Sequence, residues 1–239
     1  MTVNILDYVL KNAEEITHKC QCGVSYSKKY ELNLNNGEIS LLRTTIDNSL
    51  NITVIKDNKK GQLMINKTDK DSVDAALKSV IDLCKNSEPD TAFDIAPLQE
   101  NKQFAYGEEL PDLDKMYDLL DQYVRDIKEK YPTINLMDTA ISFTFTEKKL
   151  INSNGVDLKE RRGIYMFSSL FAAKEGEKSS SFNYSGYSLR KLKNDLLSYG
   201  SLKRVLDETI NQIDTKGIEG KFTGEAIITP DCISDLISS

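Results

Sequence analysis

The sequence of 239 residues contains one histidine, in the run His18-Lys19-Cys20-Gln21-Cys22. Read as a metal site, this run offers three soft or borderline ligands within five residues, whereas a closed zinc site takes four ligands at wider spacings. The frayed end of an opening helix accounts for it better. With a single histidine there is no His-Glu-x-x-His pair, and any Ser-His-Asp or Cys-His centre would have to be built around His18. Neither Gly-x-Gly-x-x-Gly nor Gly-x-x-x-x-Gly-Lys-Ser/Thr occurs, so phosphate cradling through those loops has no support. The paired carboxylates Glu14-Glu15 and Glu108-Glu109 are sequence neighbours whose side chains point apart, as on solvated faces. The serine run Ser179-Ser180-Ser181 lies at a strand start with no base in view. No catalytic, metal-binding or cofactor-binding residue is assigned, and no cofactor is expected in this chain.

The strands offer hydrogen-bonding edges. Long antiparallel segments carrying Tyr165, Phe167, Phe171, Phe182, Tyr184 and Tyr187 could pair with an extended polypeptide through main-chain bonds, with alternate side chains entering pockets. Core packing accounts for most of these aromatics.

The elements that would present such edges are legible from periodicity. Ile5, Val9, Ala13 and Ile16 recur at helical spacing, and Gly23 closes that unit. From Val24 the period becomes two. Tyr26, Tyr30, Leu32 and Leu34 lead through Asn35-Asn36-Gly37 to Ile39 and Leu41, a β-hairpin signature. A second pair follows, Leu50 to Ile55 and Leu63 to Ile65, around Asp57-Asn58-Lys59-Lys60-Gly61, completing a four-stranded meander. Thr68 and Asp69 cap a predicted helix from Lys70 to Cys84 with Val73, Leu77, Val80, Ile81 and Cys84 on one face. Residues 86–111, with Pro89, Pro97 and Pro111, read as an extended linker. Pro111 and Asp112 then open a helix to about Lys130 whose Leu113, Met116, Leu119, Leu120, Tyr123 and Ile127 face inward. Strands are predicted over 134–146, 149–153, 156–173 and 179–187, forming a second antiparallel sheet. A helix over 195–213 and a strand over 224–229 follow.

The fold class read from this pattern is α+β: antiparallel β-meanders covered by amphipathic helices, in two sub-units joined by a Pro-containing linker. The divisions are 1–86 (helix, meander, helix), 87–111 (linker), 112–222 (second α+β unit) and 223–239. The final Ile227-Ile228-Thr229-Pro230-Asp231 strand-to-helix signal reads as the start of a truncated C-terminal domain. No strict internal repeat is present.

A composition of 39% hydrophobic and 28% charged residues is that of a globular protein. No apolar run approaches the ~18 residues of a membrane-spanning helix. The net charge of -6 argues against nucleic acid as the main ligand, which needs clustered Lys and Arg. The one basic cluster, Lys159 to Arg162 interrupted by Glu160, is short. Four scattered cysteines, Cys20, Cys22, Cys84 and Cys232, do not make a disulfide scaffold. The start Met-Thr-Val-Asn-Ile-Leu-Asp-Tyr lacks the features of a secretory signal, and the expected location is cytoplasmic.

Three stretches resemble the N-terminal half of the TldD/PmbA family, metallopeptidase-related proteins also called modulators of DNA gyrase. The first runs from Asn33-Leu34-Asn35-Asn36-Gly37-Glu38-Ile39 through Arg43 to Leu50-Asn51-Ile52-Thr53-Val54-Ile55-Lys56-Asp57-Asn58-Lys59-Lys60-Gly61. The second, Ser87-Glu88-Pro89-Asp90 after a helix, is closer to the PmbA (TldE) branch than to TldD. The third, Leu150-Ile151-Asn152-Ser153-Asn154-Gly155-Val156, resembles the family's Asn-Ser-x-Gly turn. The resemblance spans nearly the whole chain and implies an α+β N-terminal domain with a C-terminal companion. In the TldD branch that companion carries a zinc-binding His-Glu-x-x-x-His motif, to which nothing in this sequence corresponds.

The implied role is that of a partner subunit of a TldD-type zinc metallopeptidase acting on unfolded peptides. This chain would contribute to a peptide-holding chamber and to dimerisation, with a TldD-like protein or with itself. The alternative is a non-catalytic scaffold module that binds a peptide or protein without hydrolysis. An independent enzyme centred on His18 or a cysteine is a third reading, which His18→Ala would test. The substrate and oligomeric state stay open, as does metal binding by a C-terminal half.

Overall fold

The computed structural model describes residues 2–35, 37–215, 217, 220–221 and 223–238. Asn36 of the first turn, Phe222 and Ser239 therefore lie outside the described residues. The chain is α+β, with five α-helices and eight strands among the described residues. In chain order these are α1 (Thr2–Glu14), β1 (Lys19–Asn35), β2 (Glu38–Lys56), β3 (Lys59–Ile65), α2 (Lys70–Asn86), β4 (Gln103–Tyr106) and α3 (Leu113–Lys130). There follow β5 (Ile134–Asn152), β6 (Asp157–Glu175), β7 (Lys178–Ser179), β8 (Asn183–Leu189), α4 (Leu202–Asn211) and α5 (Pro230–Ser238). None of the described helices is long and apolar enough to cross a membrane.

Local chemistry explains the boundaries. The Asp69 carboxylate accepts from Ser72 N at 3.0 Å and caps α2, and Asp112 does the same for α3 through Lys115 N at 3.0 Å. Each satisfies a backbone donor that the first turn of a helix leaves unpaired. Asp57 and Asn58 both take positive φ, 54° and 58°. That is the geometry of a two-residue turn whose twist matches the strands it joins.

All strands belong to one sheet, ordered β3-β2-β1-β5-β6-β4, with β7 and β8 also paired to β6. Every pairing is antiparallel except β4 with β6. The two sheets expected from the sequence are thus a single one, joined where Gln21–Asn35 of β1 runs against Asp138–Asn152 of β5. Helices α1 to α4 pack on one face. Even-numbered residues of β1 enter two cores there: Cys20 and Cys22 join Leu50, Ile52, Leu6 and Val80 beneath α1 and α2, while Leu32 and Leu34 join Phe143, Phe167, Met116 and Leu206 beneath α3 and α4. Period-two alternation over one long strand feeds both.

Several sequence expectations are corrected. The four-stranded meander has three strands, because 38–56 is one uninterrupted strand paired to β1 from Asn35↔Glu38 to Lys19↔Ile55. No Gly or Pro interrupts that stretch, so nothing stops the ladder. For the same reason 134–146 and 149–153 form the single strand β5. The 179–187 strand is divided into β7 and β8, and the 86–111 segment, read as linker alone, contains β4. The helix expected over 195–213 is broken into a 3-10 turn, Leu196–Ser198, and α4. Between them Gly200 takes φ of +59°, outside the helical region. No strand forms over 224–229. Ile227 there is 95% exposed, and without a neighbouring strand an extended segment has no partner for its backbone groups.

Candidate binding face and edges

The residues with chemical potential do not converge. His18 is at the surface, and its carbonyl accepts from Ser153 Oγ at 2.6 Å. Cys20 and Cys22 point the other way, into the core beneath α1, with 1% and 2% exposure. Burial raises both thiols, pushing Cys22 up to about 12, so neither is a thiolate near neutral pH. An exposed imidazole and two protonated core thiols do not fit a zinc site. Among the described residues no three His, Cys, Asp or Glu side chains come together in a way that could hold a metal. Glu108 accepts from Tyr165 Oη at 2.7 Å, and Glu109 faces Arg161 at 3.4 Å. In the serine run, Ser180 Oγ accepts from Ala173 N at 2.9 Å and donates to Ser181 O at 2.7 Å, a backbone-bracing role. The basic cluster is neutralised within the sheet, as Glu147 pairs with both Lys159 and Arg161 at 3.2 Å.

The turn Asn152-Ser153-Asn154-Gly155, singled out in the sequence, fastens several parts of the fold. Asn152 Oδ1 accepts from the backbone N of Asn154 and of Val156, both at 3.0 Å, and its Nδ2 donates to Ala96 O at 2.7 Å. Ser153 Oγ accepts from Cys20 N at 3.1 Å. This turn therefore locks the start of β1 and the 86–111 segment to the β5–β6 hairpin.

The described residues also present a broad polar surface. The face of the sheet opposite the helices is lined by odd-numbered β1 residues, Ser25, Ser27, Lys29, Glu31 and Asn33, beside Ser142, Thr144 and Thr146 of β5. At its centre Glu31, only 6% exposed, is clamped by Lys29 and Arg43 and accepts from Asn33 Nδ2 at 3.4 Å. Burial alone would raise its carboxyl, but the hydrogen bonds and charges of Lys29 and Arg43 outweigh it and hold the group below the usual carboxylate range. Three side-chain oxygens on this same face, Gln21 Oε1, Asn33 Oδ1 and Asn51 Oδ1, are shielded yet take no hydrogen bond from the chain.

The edges differ from the sequence expectation. Tyr165, Phe167 and Phe171 are core residues at 1%, 2% and 0% exposure, while Phe182 and Tyr184 are 69% and 64% exposed. The outer edge of β6 is already filled by β4, β8 and β7 in succession. The long free edge lies on β2 instead, where β3 covers only Leu50 to Lys56 and leaves Glu38 to Ser49 paired on one side alone. Sequence reading missed this because strand order depends on the distant β1–β5 pairing; the row of exposed Ile39, Leu41, Leu42 and Ile46 was its only local sign. A cavity of about 660 Å³ opens where α3, the start of β5 and the end of β6 meet, lined by Val124, Ile127, Met137 and Phe182 and flanked by Lys128 and Lys174.

No protein-family model matches the chain. It is 27% identical over 226 residues to an uncharacterized protein of Methanocaldococcus jannaschii, covering 90% of this chain and 49% of that protein. Among solved structures it is similar to TldE of Thermococcus kodakarensis, with a TM-score of 0.65 at 16% identity over 87% of this chain and 47% of the other. A protein of Thermotoga maritima described as a candidate modulator of a DNA gyrase gives a TM-score of 0.64 at 12% identity, covering 89% of this chain and 48% of the other. A Bacteroides thetaiotaomicron protein described in the same terms gives 0.69 at 16%, covering 90% and 51%. The chain thus spans about half the length of the proteins it matches. Taken with the single helix-backed sheet, these likenesses identify the architecture as a TldD/PmbA-family fold.

Proposed function

We propose that the chain is the N-terminal domain of a PmbA/TldE-like protein, the partner subunit of a TldD-type zinc metallopeptidase acting on unfolded peptides. In this reading it supplies a wall of the peptide-holding chamber and part of the dimer contact. The catalytic zinc belongs to the partner, and the residues of this chain hold, align and shield.

The observation that supports the reading is the likeness of the fold to TldE of Thermococcus kodakarensis over 87% of this chain, together with a helix-free sheet face lined by polar side chains. An unfolded peptide exposes a backbone N–H at almost every residue, and side-chain amide oxygens accept such donors without regard to sequence. The cavity beside α3, flanked by Lys128 and Lys174, supports it further, since it combines apolar walls with cations suited to a carboxylate.

The test is reconstitution. The full-length protein is co-expressed with a TldD-like subunit, and cleavage of an unfolded peptide is followed with and without zinc chelation. Zinc-dependent cleavage by the pair and by neither subunit alone is the expected result. Absence of cleavage by the pair would remove the enzymatic part of the reading. Peptide bound but never cut would favour a non-catalytic scaffold, which the same face and cavity also suit.

A further inference from the structure

We propose that the cavity where α3, the start of β5 and the end of β6 meet holds the C-terminal end of an unfolded peptide, with the terminal carboxylate between Lys128 and Lys174. The inference rests on the proposed function and names which part of the peptide this chain grips.

The charge of the cavity runs against that of the chain. The sequence carries 37 acidic and 31 basic residues, yet the lining of this cavity of about 660 Å³ holds two lysines and no carboxylate. The neighbouring Lys130 and Lys178 are occupied by Asp126 and Asp214, whereas among the described residues neither Lys128 nor Lys174 is in an ion pair. Glu175 and Glu177 come next in the chain but are not part of the lining. The walls include Ile127 and Ile134, both buried, and Met137. Unpaired cations beside apolar walls suit an anion carried on an apolar group, and the volume lies within the ~300–1,000 Å³ of small-ligand sites.

The strands give the occupant a direction. β1 leaves β5 at Asn35↔Asp138, whereas β6 follows β5 as far as Ile134↔Ala173. Ile134 to Met137 are therefore paired by a strand on one side alone, and all four residues line the cavity. Met137 is the extra residue of a bulge between Leu136 and Asp138 and is 40% exposed, an arrangement that re-aims a side chain. An extended peptide that continues the line of β1 lies antiparallel to β5 and runs toward Ile134. Its C-terminus then reaches the end of the cavity where Lys174 N donates to Thr133 O at 2.8 Å and α3 gives way to β5. A peptide running the other way would bring its terminal ammonium to the same two lysines, a repulsive pairing.

The test uses the full chain and a short unfolded peptide ending in Leu, labelled with a fluorophore at its N-terminus and followed by anisotropy. The free acid should bind about tenfold more tightly than the C-terminal amide, the loss expected from one charge-assisted bond. In a Lys128→Gln, Lys174→Gln protein the free acid should fall to the affinity of the amide, while the amide is unaffected. Lys56→Gln, Lys67→Gln makes the same change of charge outside the cavity and should leave the preference intact. All four lysines are exposed, so both variants should keep the parental circular dichroism. Ending the peptide in Gly instead of Leu should weaken binding by removing the contact with the apolar walls. Failure of the free acid to bind, equal binding of acid and amide, or a double variant that weakens both alike overturns the inference. So does binding of decanoate at these lysines in the absence of peptide binding, which would assign the cavity to a free fatty acid. Carboxylate-dependent binding without cleavage by the reconstituted pair removes the proposed function alone, and cleavage by a pair whose binding ignores the carboxylate removes this inference alone.

Discussion

Gly61→Ala offers a sharp test of how α2 is held on the sheet. A Cβ at residue 61 would lie 2.1 Å from Val80 O, 2.8 Å from Cys84 N and 2.9 Å from Cys84 Cβ. Two of these three atoms are helix backbone, so no rotamer change relieves the overlap. Ordinary contact begins near 3.4 Å, and α2 must therefore move outward by about 1.3 Å from β3. That movement would loosen Val73, Ala76, Leu77, Val80 and Cys84, the buried face of the helix. Overpacking of cores costs typically 1–3 kcal/mol, and a clash with backbone belongs at the upper end, about 3 kcal/mol. Loss of unfolded-state freedom from the new methyl returns roughly 0.4–1 kcal/mol. The net expectation is about 2 kcal/mol of destabilisation, or roughly 4–8 °C in Tm for a chain of this size. Urea and thermal unfolding of Gly61→Ala should be measured beside Gly217→Ala, whose added methyl meets nothing within 4 Å. A Gly61→Ala protein within about 0.5 kcal/mol of the parent, the range of ordinary surface changes, would refute the close approach of α2 to β3.

Glu31→Gln should flatten the acid limb of stability. The folded-state carboxyl is held low by Lys29 and Arg43, so its contribution is present above the unfolded value of about 4.3 and lost as pH falls through the lower folded one. Urea midpoints measured from neutral to acid pH should fall less steeply in the variant, and an unchanged slope would show that the clamp does not act on stability. Thiol titration with a chromogenic disulfide should label Cys232 rapidly and Cys20, Cys22 and Cys84 only on unfolding. Fast labelling of a second cysteine in the native protein would contradict the packing of the core beneath α1 and α2.

Much of the fold was legible because local chemistry set it. Asp69 and Asp112 mark helix starts as expected from their position before apolar faces of period 3.6. The Asp57-Asn58 turn and the Asn154-Gly155 turn were legible for the same reason, as few residues tolerate the positive φ found at Asp57, Asn58 and Gly155. The union of two predicted sheets was not legible. Gln21 pairs with Asn152 across a large sequence separation, and no local period encodes which strand a long hairpin will meet. The predicted break in β2 has a related origin: Thr44 to Asn48 lies beyond the cores with both its faces exposed, so it lacks the alternation that identifies a strand. The helix-free face was hidden too, because Lys29, Glu31 and Arg43 look like ordinary surface charges until the register brings them together. The catalytically suggestive run at His18 dissolved once strand alternation turned its cysteines inward.

The strands β1 and β5 pass without interruption beneath both hydrophobic cores. Melting the ladder under one core removes the backbone partners that hold register under its neighbour. Helix dissociation at either end can therefore stay local, whereas rupture of the shared pair is a global event that links mechanical load on one end of the molecule to the integrity of the other.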